Sequence, residues 1–194
     1  MNSRELWDRE APTFDDEPDH GLGDETTRAA WRALLLGVLP PAPARVADLG
    51  CGTGTLAVLL AEDGYAVDGL DVSPEMVSRA RAKAEAADVT VDVRVGDADA
   101  PDLDLATYDV VLSRHVLWAM DDPAAALQRW LRLLAPGGSL VLVEGSWSTG
   151  AGITAEEAVG LVRGAGREAE LRRLPEAVYW GKEISDDRYL LLSR

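Results

Sequence analysis

Residues 46–54 read VADLGCGTG, and this stretch decides the fold. Its first half is mostly apolar and runs directly into glycines, which is the pattern of a buried strand that ends in a turn. Gly50, Gly52 and Gly54 alternate, and residues 55–61 then follow a helical pattern with an apolar stripe. Because glycine has no Cβ, such a turn brings bare backbone and a helix N-terminus against a ligand. The stretch therefore predicts a site for a small polar ligand.

Two ligand classes use a turn of this kind. Gly52, Gly54 and Ala57 satisfy the dinucleotide fingerprint G-x-G-x-x-G/A, which is typical of nicotinamide nucleotide sites. Asp48, however, ends the strand where the pyrophosphate of a dinucleotide would pass, and two anions at that place repel each other. A ligand with an ammonium or a sulfonium group suits this carboxylate better. The glycines leave both classes open, and the acid favours the second.

The same stretch resembles the first motif, D/E-x-G-x-G-x-G, of the class I S-adenosylmethionine-dependent methyltransferases. The residues that match it are Asp48, Gly50, Gly52 and Gly54. The resemblance extends over residues 40–145 and, more loosely, over the W-D-x-x-A-x-x-F-D pattern of residues 7–15. It implies S-adenosyl-L-methionine as the cofactor and methyl transfer to a small molecule as the activity.

Two further acids follow predicted strands. Asp71 ends the second strand 17 positions after Gly54, close to the roughly 20 positions expected for an acid that binds a ribose. Asp97 follows the third strand, where dinucleotide-binding domains do not characteristically need an acid. The family motifs D-x-S-x-x-M and G-D-A imply that the adenine is contacted by Met76, Asp97 and Ala98. We also assign to the cofactor site the neighbouring residues Cys51, Val72 and Ser113.

The order of strand and helix patterns predicts an α/β fold. We expect residues 24–194 to form a single Rossmann-like three-layer domain with helices on both faces of the sheet. The resemblance implies a seven-stranded, mostly parallel sheet whose last strand is antiparallel. Residues 1–23 mix aromatic side chains with acids and make a poor core segment, so we interpret them as an N-terminal lid over the site.

One helix and one turn are predicted before the fifth strand. Helical spacing of apolar residues from Leu127 to Leu134 indicates the buried face of a helix that begins near Pro123. The residues 136–138, Pro-Gly-Gly, then predict a turn, and residues 139–144 predict the fifth strand.

Histidine is the residue that titrates nearest neutrality, and the chain has two, His20 and His115. A base helps when the acceptor atom is an oxygen or nitrogen with a high pKa, so both are candidate catalytic residues. His115 directly follows the fourth strand, whereas His20 depends on the predicted lid. The residues that we expect to bind the acceptor are Phe14, Trp118, Glu144 and Trp147. The tryptophans indicate an aromatic or otherwise apolar ring as the acceptor.

The net charge of −15 argues against two classes of partner. An acidic protein repels both phosphate backbones and anionic membrane surfaces, so we expect neither nucleic acid nor a membrane as partner. The single cysteine, Cys51, excludes an internal disulfide and provides no zinc cluster, and we expect no metal. The N-terminal residues lack the basic and apolar regions of a signal peptide, which predicts a cytoplasmic protein.

Two other functions remain open from the sequence. An NAD(P)-dependent reductase is favoured only by the spacing of Gly52, Gly54 and Ala57, and it is opposed by Asp48 and Asp97. A protein that binds S-adenosylmethionine without methylating, either regulatory or cyclase-like, shares the cofactor motifs and is separated only by product analysis.

Overall fold

The glycine-rich stretch lies at the centre of a sheet flanked by helices in the computed structural model, which describes residues 3–194. The strands are β1 (Arg45–Leu49), β2 (Ala66–Asp71), β3 (Asp92–Val95), β4 (Tyr108–Arg114), β5 (Leu134–Ser146), β6 (Glu170–Arg173) and β7 (Asp187–Ser193). The α-helices are α1 (Ser3–Glu10), α2 (Pro18–Gly21), α3 (Glu25–Leu36), α4 (Thr55–Glu62), α5 (Pro74–Ala86), α6 (Pro123–Leu131), α7 (Ala155–Gly164) and α8 (Ala177–Trp180). Short 3-10 helices span Ala11–Asp16 and Leu117–Ala119.

The seven strands form one sheet in the order β3-β2-β1-β4-β5-β7-β6. The pairs from β3 to β5 are parallel, and β7 pairs antiparallel with both β5 and β6. This topology confirms the predicted seven-stranded sheet with an antiparallel last strand. The carboxyl ends of β1 to β5 therefore share one edge with the amino end of β7.

Strand alternation places the core on both faces of the sheet. In β1, Val46 packs into one cluster with Trp31 of α3, while Ala47 packs into another cluster with Leu127 of α6. Successive strand residues point to opposite faces, so a fully apolar strand requires cover on both sides. Helices α3, α4 and α8 contribute to the first cluster, and α6 and α7 contribute to the second. This arrangement is the predicted three-layer architecture.

Several predicted helix starts form through side-chain caps. Asp24 accepts a hydrogen bond from the Thr27 amide at α3, and Ser73 accepts one from the Met76 amide at α5. At α7, Thr154 and Glu157 form a reciprocal capping box. Each cap satisfies an amide that has no partner inside its helix.

The structure differs from the sequence prediction at the start of β5. Helix α6 ends at Leu131, and Leu134 already pairs with Tyr108 of β4 as part of β5. The predicted turn at residues 136–138 lies inside this strand, where the register shifts between Tyr108 and Val110. Gly137, at a φ of +82°, accommodates the irregularity without ending the pairing.

The N-terminal segment, residues 3–22, lies against the elements that follow β1 and β2. Ser73 Oγ donates a hydrogen bond to Asp8 at 2.6 Å, and Thr53 Oγ1 donates one to Asp15 at 2.5 Å. Lys83 of α5 forms an ion pair with Asp15 at 2.9 Å. These contacts hold the segment over the carboxyl edge of the sheet.

A buried carboxyl group fixes the loop after β4. Glu144 is fully buried, and its Oε1 accepts hydrogen bonds from the amides of Val116 at 3.1 Å and Leu117 at 2.8 Å. Its Oε2 has no hydrogen-bond partner among the residues that the structure describes. Burial raises the pKa of Glu144 to about 8. The side chain is therefore largely protonated at neutral pH.

The conformation of Gly54 predicts a selective effect on stability. Gly54 has a φ of +74°, and a Cβ there would meet Ala80 Cβ at 2.7 Å. Backbone strain and overpacking together should make Gly54→Ala less stable by about 2–4 kcal/mol. At Gly160 in α7, a Cβ meets nothing within 4 Å among residues 3–194. Gly160→Ala should therefore stabilise the protein by about 0.5–1 kcal/mol. Urea unfolding measures both, and equal effects of the two substitutions would contradict this account of Gly54.

The raised pKa of Glu144 predicts a pH-dependent stability difference. Between its ordinary value of 4.5 and about 8, the folded protein keeps a proton that the unfolded chain releases. This group therefore lowers the free energy of unfolding as the pH rises. A glutamine side chain at this position cannot ionise and can accept the same two amide hydrogen bonds. Glu144→Gln should gain roughly 2 kcal/mol relative to wild type between about pH 5.5 and about pH 7.5. A difference that stays constant with pH in urea unfolding would show that Glu144 titrates normally.

Candidate functional site

A cavity of about 600 Å³ opens at the carboxyl edge of the parallel strands, beneath the N-terminal segment. It brings together most of the residues that the sequence assigned to a site. The lining residues among them are Phe14, His20, Asp48, Gly50, Cys51, Gly52, Asp71, Val72, Met76, Asp97, Ala98, His115, Trp118 and Trp147. Open α/β sheets bind their ligands at this edge.

Three residues assigned to the site from the sequence do not line this cavity in the described part of the chain: Gly54, Ser113 and Glu144. Gly54 packs against Ala80 of α5, on the side of the turn that faces this helix. Ser113 is fully buried at the end of β4, in the wall beneath the cavity surface. Glu144 holds the loop after β4 from inside the core, and so it supports that wall indirectly.

The glycine turn is fixed by the carboxylate of Asp71. Its Oδ2 accepts a hydrogen bond from the Gly52 amide and its Oδ1 accepts one from the Ser73 amide, both at 2.9 Å. At Gly50, where φ is +71°, a Cβ would meet Val116 Cγ2 at 2.4 Å. The turn therefore needs glycine at this position. Asp71 is 8% exposed, and burial raises its pKa.

Asp48 lines the cavity and has one buried carboxylate oxygen that is not hydrogen-bonded to any residue that the structure describes. It is 3% exposed, and its Oδ2 has no hydrogen-bond partner within residues 3–194. Burial raises the pKa of Asp48 to about 7, against the opposing effect of the Arg114 guanidinium. Buried polar atoms are normally hydrogen-bonded, so this oxygen fits a donor supplied by a ligand. An ammonium group next to it would also favour the ionised form.

The side of the cavity next to β3 combines an apolar and an acidic surface. Met76 is buried at the start of α5, and Ala98 is buried after β3. Asp97 is exposed, and its Oδ1 accepts a hydrogen bond from the Asp99 amide at 2.8 Å. This combination is suited to a flat heterocycle that carries a hydrogen-bond donor. Cys51 lies in the same wall, and burial raises its pKa well above 9.0, so it stays a neutral thiol.

The two histidines lie at the other side of the cavity. His115 has an unusual φ of +59°, and its amide donates a hydrogen bond to Val143 O at 2.8 Å. Its Nε2 has no hydrogen-bond partner in the part of the chain described, and burial holds its pKa well below 6.5. His20 stacks on Phe14 with ring centroids 4.2 Å apart, and burial lowers its pKa as well. Both imidazoles are therefore neutral near pH 7, the form that accepts a proton.

Aromatic rings surround His115. Its ring centroid lies 5.1 Å from that of Trp147 in an edge-to-face arrangement, and 6.1 Å from that of Trp180 in a stacked one. Trp118 packs at 5.5 Å from Trp147, and its Nε1 donates a hydrogen bond to His115 O at 2.9 Å. Trp118 and Trp147 thus form an apolar wall beside an imidazole.

Sequence reasoning missed several charged residues that line the cavity: Glu17, Asp19, Arg114, Lys182 and Arg188. The position of Arg114 in the sequence, at the end of β4 and directly before His115, could have identified it as a site residue. Arg188 lies far from every motif in the sequence, and only the insertion of β7 beside β5 brings it to this edge, where it pairs with Gly145. No local pattern in the sequence identifies such a residue.

No helix among residues 3–194 has the length and apolar composition needed to cross a bilayer.

Comparison with known proteins identifies the family of the chain. A family model described as "Methyltransferase domain" matches residues 47–142. The ubiquinone biosynthesis O-methyltransferase of Xanthomonas axonopodis pv. citri (strain 306) is 35% identical over 141 residues, which cover 70% of this chain and 54% of that protein. The chain thus spans about half the length of this curated relative.

Solved structures share the fold at lower sequence identity. The [4+2]-cyclase SpnF matches with a TM-score of 0.75 and 23% identity, over 85% of this chain and 79% of that one. Magnesium protoporphyrin IX methyltransferase from Synechocystis PCC 6803, solved with bound SAM, matches with a TM-score of 0.68 and 22% identity, over 87% and 78%. With the motif residues gathered at one cavity, the chain belongs to the class I S-adenosylmethionine-dependent methyltransferase family, whose cofactor is S-adenosyl-L-methionine.

Proposed function

We propose that this protein transfers a methyl group from S-adenosylmethionine to an oxygen, nitrogen or carbon atom of a small molecule with an aromatic or otherwise apolar ring. The unsatisfied Oδ2 of Asp48 at the cavity wall carries this proposal. A lone buried carboxylate suits a ligand that bears an ammonium and a sulfonium group, and it opposes a pyrophosphate. The small-molecule acceptor is supported by the size of the cavity, about 600 Å³, and by the predicted lack of nucleic acid partners.

The proposed cofactor position spans the edge from β3 to β4. Asp71 is held by the amides of Gly52 and Ser73, and its remaining lone pairs can accept from the hydroxyls of a ribose. Met76, Asp97 and Ala98 would contact the adenine, and Asp48 would face the ammonium group. Cys51 and Val72 complete the lining between these contacts.

When bound, the cofactor supplies a methyl group on a positively charged sulfur. Methyl transfer would break the sulfur–methyl bond, form a bond to the acceptor atom and leave S-adenosylhomocysteine as the product. The protein then mainly needs to align the acceptor and exclude water, which can contribute roughly 7–11 kcal/mol. We assign alignment to Trp118, Trp147 and Phe14, and water exclusion to residues 1–23 acting as a lid. In the described part of this lid, residues 3–22, Asp8 and Asp15 accept hydrogen bonds from Ser73 and Thr53.

A neutral histidine can take the proton that a hydroxyl or amine acceptor loses. His115 is the preferred candidate, because its Nε2 is unpartnered among the described residues and its ring packs beside Trp147. His20 is the second, since its Nδ1 is hydrogen-bonded to Phe14 O at 3.2 Å while its ring stacks on Phe14. Their lowered pKa values make them weaker bases than an ordinary histidine, so they suit an acceptor of low pKa better than the high-pKa acceptor considered from the sequence.

A reaction other than methylation is the second candidate, because the fold is shared with the [4+2]-cyclase SpnF. Product analysis after incubation with the cofactor separates the two. A methylated product that forms together with S-adenosylhomocysteine supports the proposal, and a rearranged product formed without cofactor turnover contradicts it.

Calorimetric titration tests the cofactor class. We expect S-adenosylhomocysteine to bind, whereas NADH and NADPH titrated in parallel should give no binding heat, because their pyrophosphate meets Asp48. Asp48→Asn removes the charge with little change in shape and should weaken the binding of S-adenosylhomocysteine. Binding of a nicotinamide nucleotide alone would overturn the proposal.

A substitution at Asp71 tests the position of the ribose. Asp71→Ala should remove roughly 2–3 kcal/mol of binding free energy for S-adenosylhomocysteine, on the order of 30- to 150-fold in dissociation constant. The matched control is Asp92→Ala, which removes an exposed carboxylate from the neighbouring strand β3, outside the cavity. Circular dichroism confirms that both variants are folded. Equal affinities of Asp71→Ala and Asp92→Ala would place the ribose elsewhere.

A further inference from the structure

The cationic side chains that line the cavity all lie on one side of it, where the acids Glu17 and Asp19 accompany them. Three acids, Asp48, Asp71 and Asp97, follow β1, β2 and β3, which occupy one half of the sheet. Two guanidinium groups that line the cavity, those of Arg114 and Arg188, come from β4 and β7. In a chain with a net charge of −15, two guanidinium groups at one cavity, Arg188 buried and Arg114 half-buried, are unexpected from composition.

Arg188 is buried but poorly satisfied. It is 8% exposed, and its ion pairs to Asp19 at 3.4 Å and to Asp186 at 3.5 Å are longer than the 2.7–2.9 Å typical of charge-assisted hydrogen bonds. Its Nε has no hydrogen-bond partner in the described part of the chain. Guanidinium carries five donors in a planar fork that matches a carboxylate. Arg188 therefore keeps donor capacity for an anionic ligand.

The surroundings place Arg188 next to the proposed reaction centre. Its guanidinium lies 4.3 Å from the ring centroid of Trp180, which in turn stacks on His115 at 6.1 Å. Gly145, the residue opposite Arg188 in β5, makes room for it, since a Cβ there would meet Arg188 Cγ at 3.2 Å. Arg188 also contributes to the lowered pKa of His115.

Three side chains near Arg188 could in principle bind a metal ion, but their surroundings favour an anion over a cation. The ligand atoms of Asp19, His20 and His115 lie within 4.8 Å of one another. Asp19, however, already pairs with Arg188, and its backbone oxygen accepts a hydrogen bond from Arg114 at 2.6 Å. Two guanidinium groups so close to the cluster oppose a divalent cation and favour a negative charge.

We propose that the acceptor carries an anionic oxygen group, either a carboxylate or an ionised phenol, and that Arg188 binds this group and determines acceptor specificity. The inference rests on the proposed function, because it assigns the chemistry of the acceptor. Arg188 acts here by binding the anion beside His115, and Trp118 and Trp147 cover the ring that bears it.

Two fluorescent probes that differ by one anionic group test this. 8-Anilinonaphthalene-1-sulfonate and N-phenyl-1-naphthylamine share a ring system, and only the first carries a sulfonate. Titrations use the protein saturated with S-adenosylhomocysteine, so that only the acceptor side is open. Wild type should bind the sulfonate about 10- to 100-fold more tightly than the neutral probe. Arg188→Gln should abolish this preference, whereas Arg163→Gln, which removes an exposed charge from α7, should retain it.

Binding of S-adenosylhomocysteine to the Arg188 variants tests whether Arg188 contacts the cofactor. If Arg188→Gln fails to fold, the double variant Asp19→Asn/Arg188→Gln is used in its place, because it removes both charges of the buried pair. The affinity for S-adenosylhomocysteine should stay unchanged in these variants. A loss of about tenfold would assign Arg188 to the cofactor's own carboxylate and overturn the inference. Equal binding of the two probes to wild type would also overturn it.

Displacement of the bound sulfonate probe identifies the anion. Preferential displacement by 2-naphthoate indicates a carboxylate, and preferential displacement by 4-nitrophenolate indicates a phenolate. Failure of both overturns the inference. If S-adenosylhomocysteine does not bind, the proposed function fails, and the probe titrations are run on the free protein. An Arg188-dependent preference for the sulfonate there would still support the anion site.

Discussion

The hydrogen bonds to the Asp71 carboxylate fix the geometry on which the cavity depends. One oxygen accepts from the Gly52 amide and the other from the Ser73 amide, so a single side chain joins the turn after β1 to the start of α5. The amides of Gly50 and Cys51 donate to Leu70 O, which ties the same turn to β2. A glycine-rich turn has little preference of its own for one conformation. Its shape is therefore imposed by the strand next to it.

Burial determines which groups around the cavity are charged. The pKa of Asp48 is raised to about 7 and that of Glu144 to about 8, while the pKa of His115 is lowered well below 6.5. Desolvation is the largest cause in all three cases, and it favours the neutral form of an acid and of a base alike. Glu144 holds the loop after β4 as a largely neutral group. Because the pKa of Asp48 is about 7, a cationic ligand that binds next to it can shift the carboxyl group to its ionised form.

The N-terminal segment shows how acidic residues contribute to tertiary structure here. Asp8 and Asp15 accept hydrogen bonds from Ser73 and Thr53, which lie in the segments that follow β2 and β1. Glu17 pairs with Lys182, which lies between α8 and β7, at 2.7 Å. A segment with few apolar residues is thus held over the cavity at several points by polar contacts. Surface pairs of this kind contribute little individually, which is consistent with our proposal that the segment acts as a lid.

The sequence by itself determined the order of strands and helices, the glycine turn and the acids Asp48, Asp71 and Asp97, because these depend on local spacing and on which residues can end a strand. It was wrong for Leu134, where pairing with β4 outweighs helical periodicity, and it could not show that Glu144 is fully buried within β5. Only the tertiary structure brought Arg188 to the cavity. Its place follows from antiparallel insertion of β7 between β5 and β6, and that pairing joins residues too distant in the chain to leave a local signal.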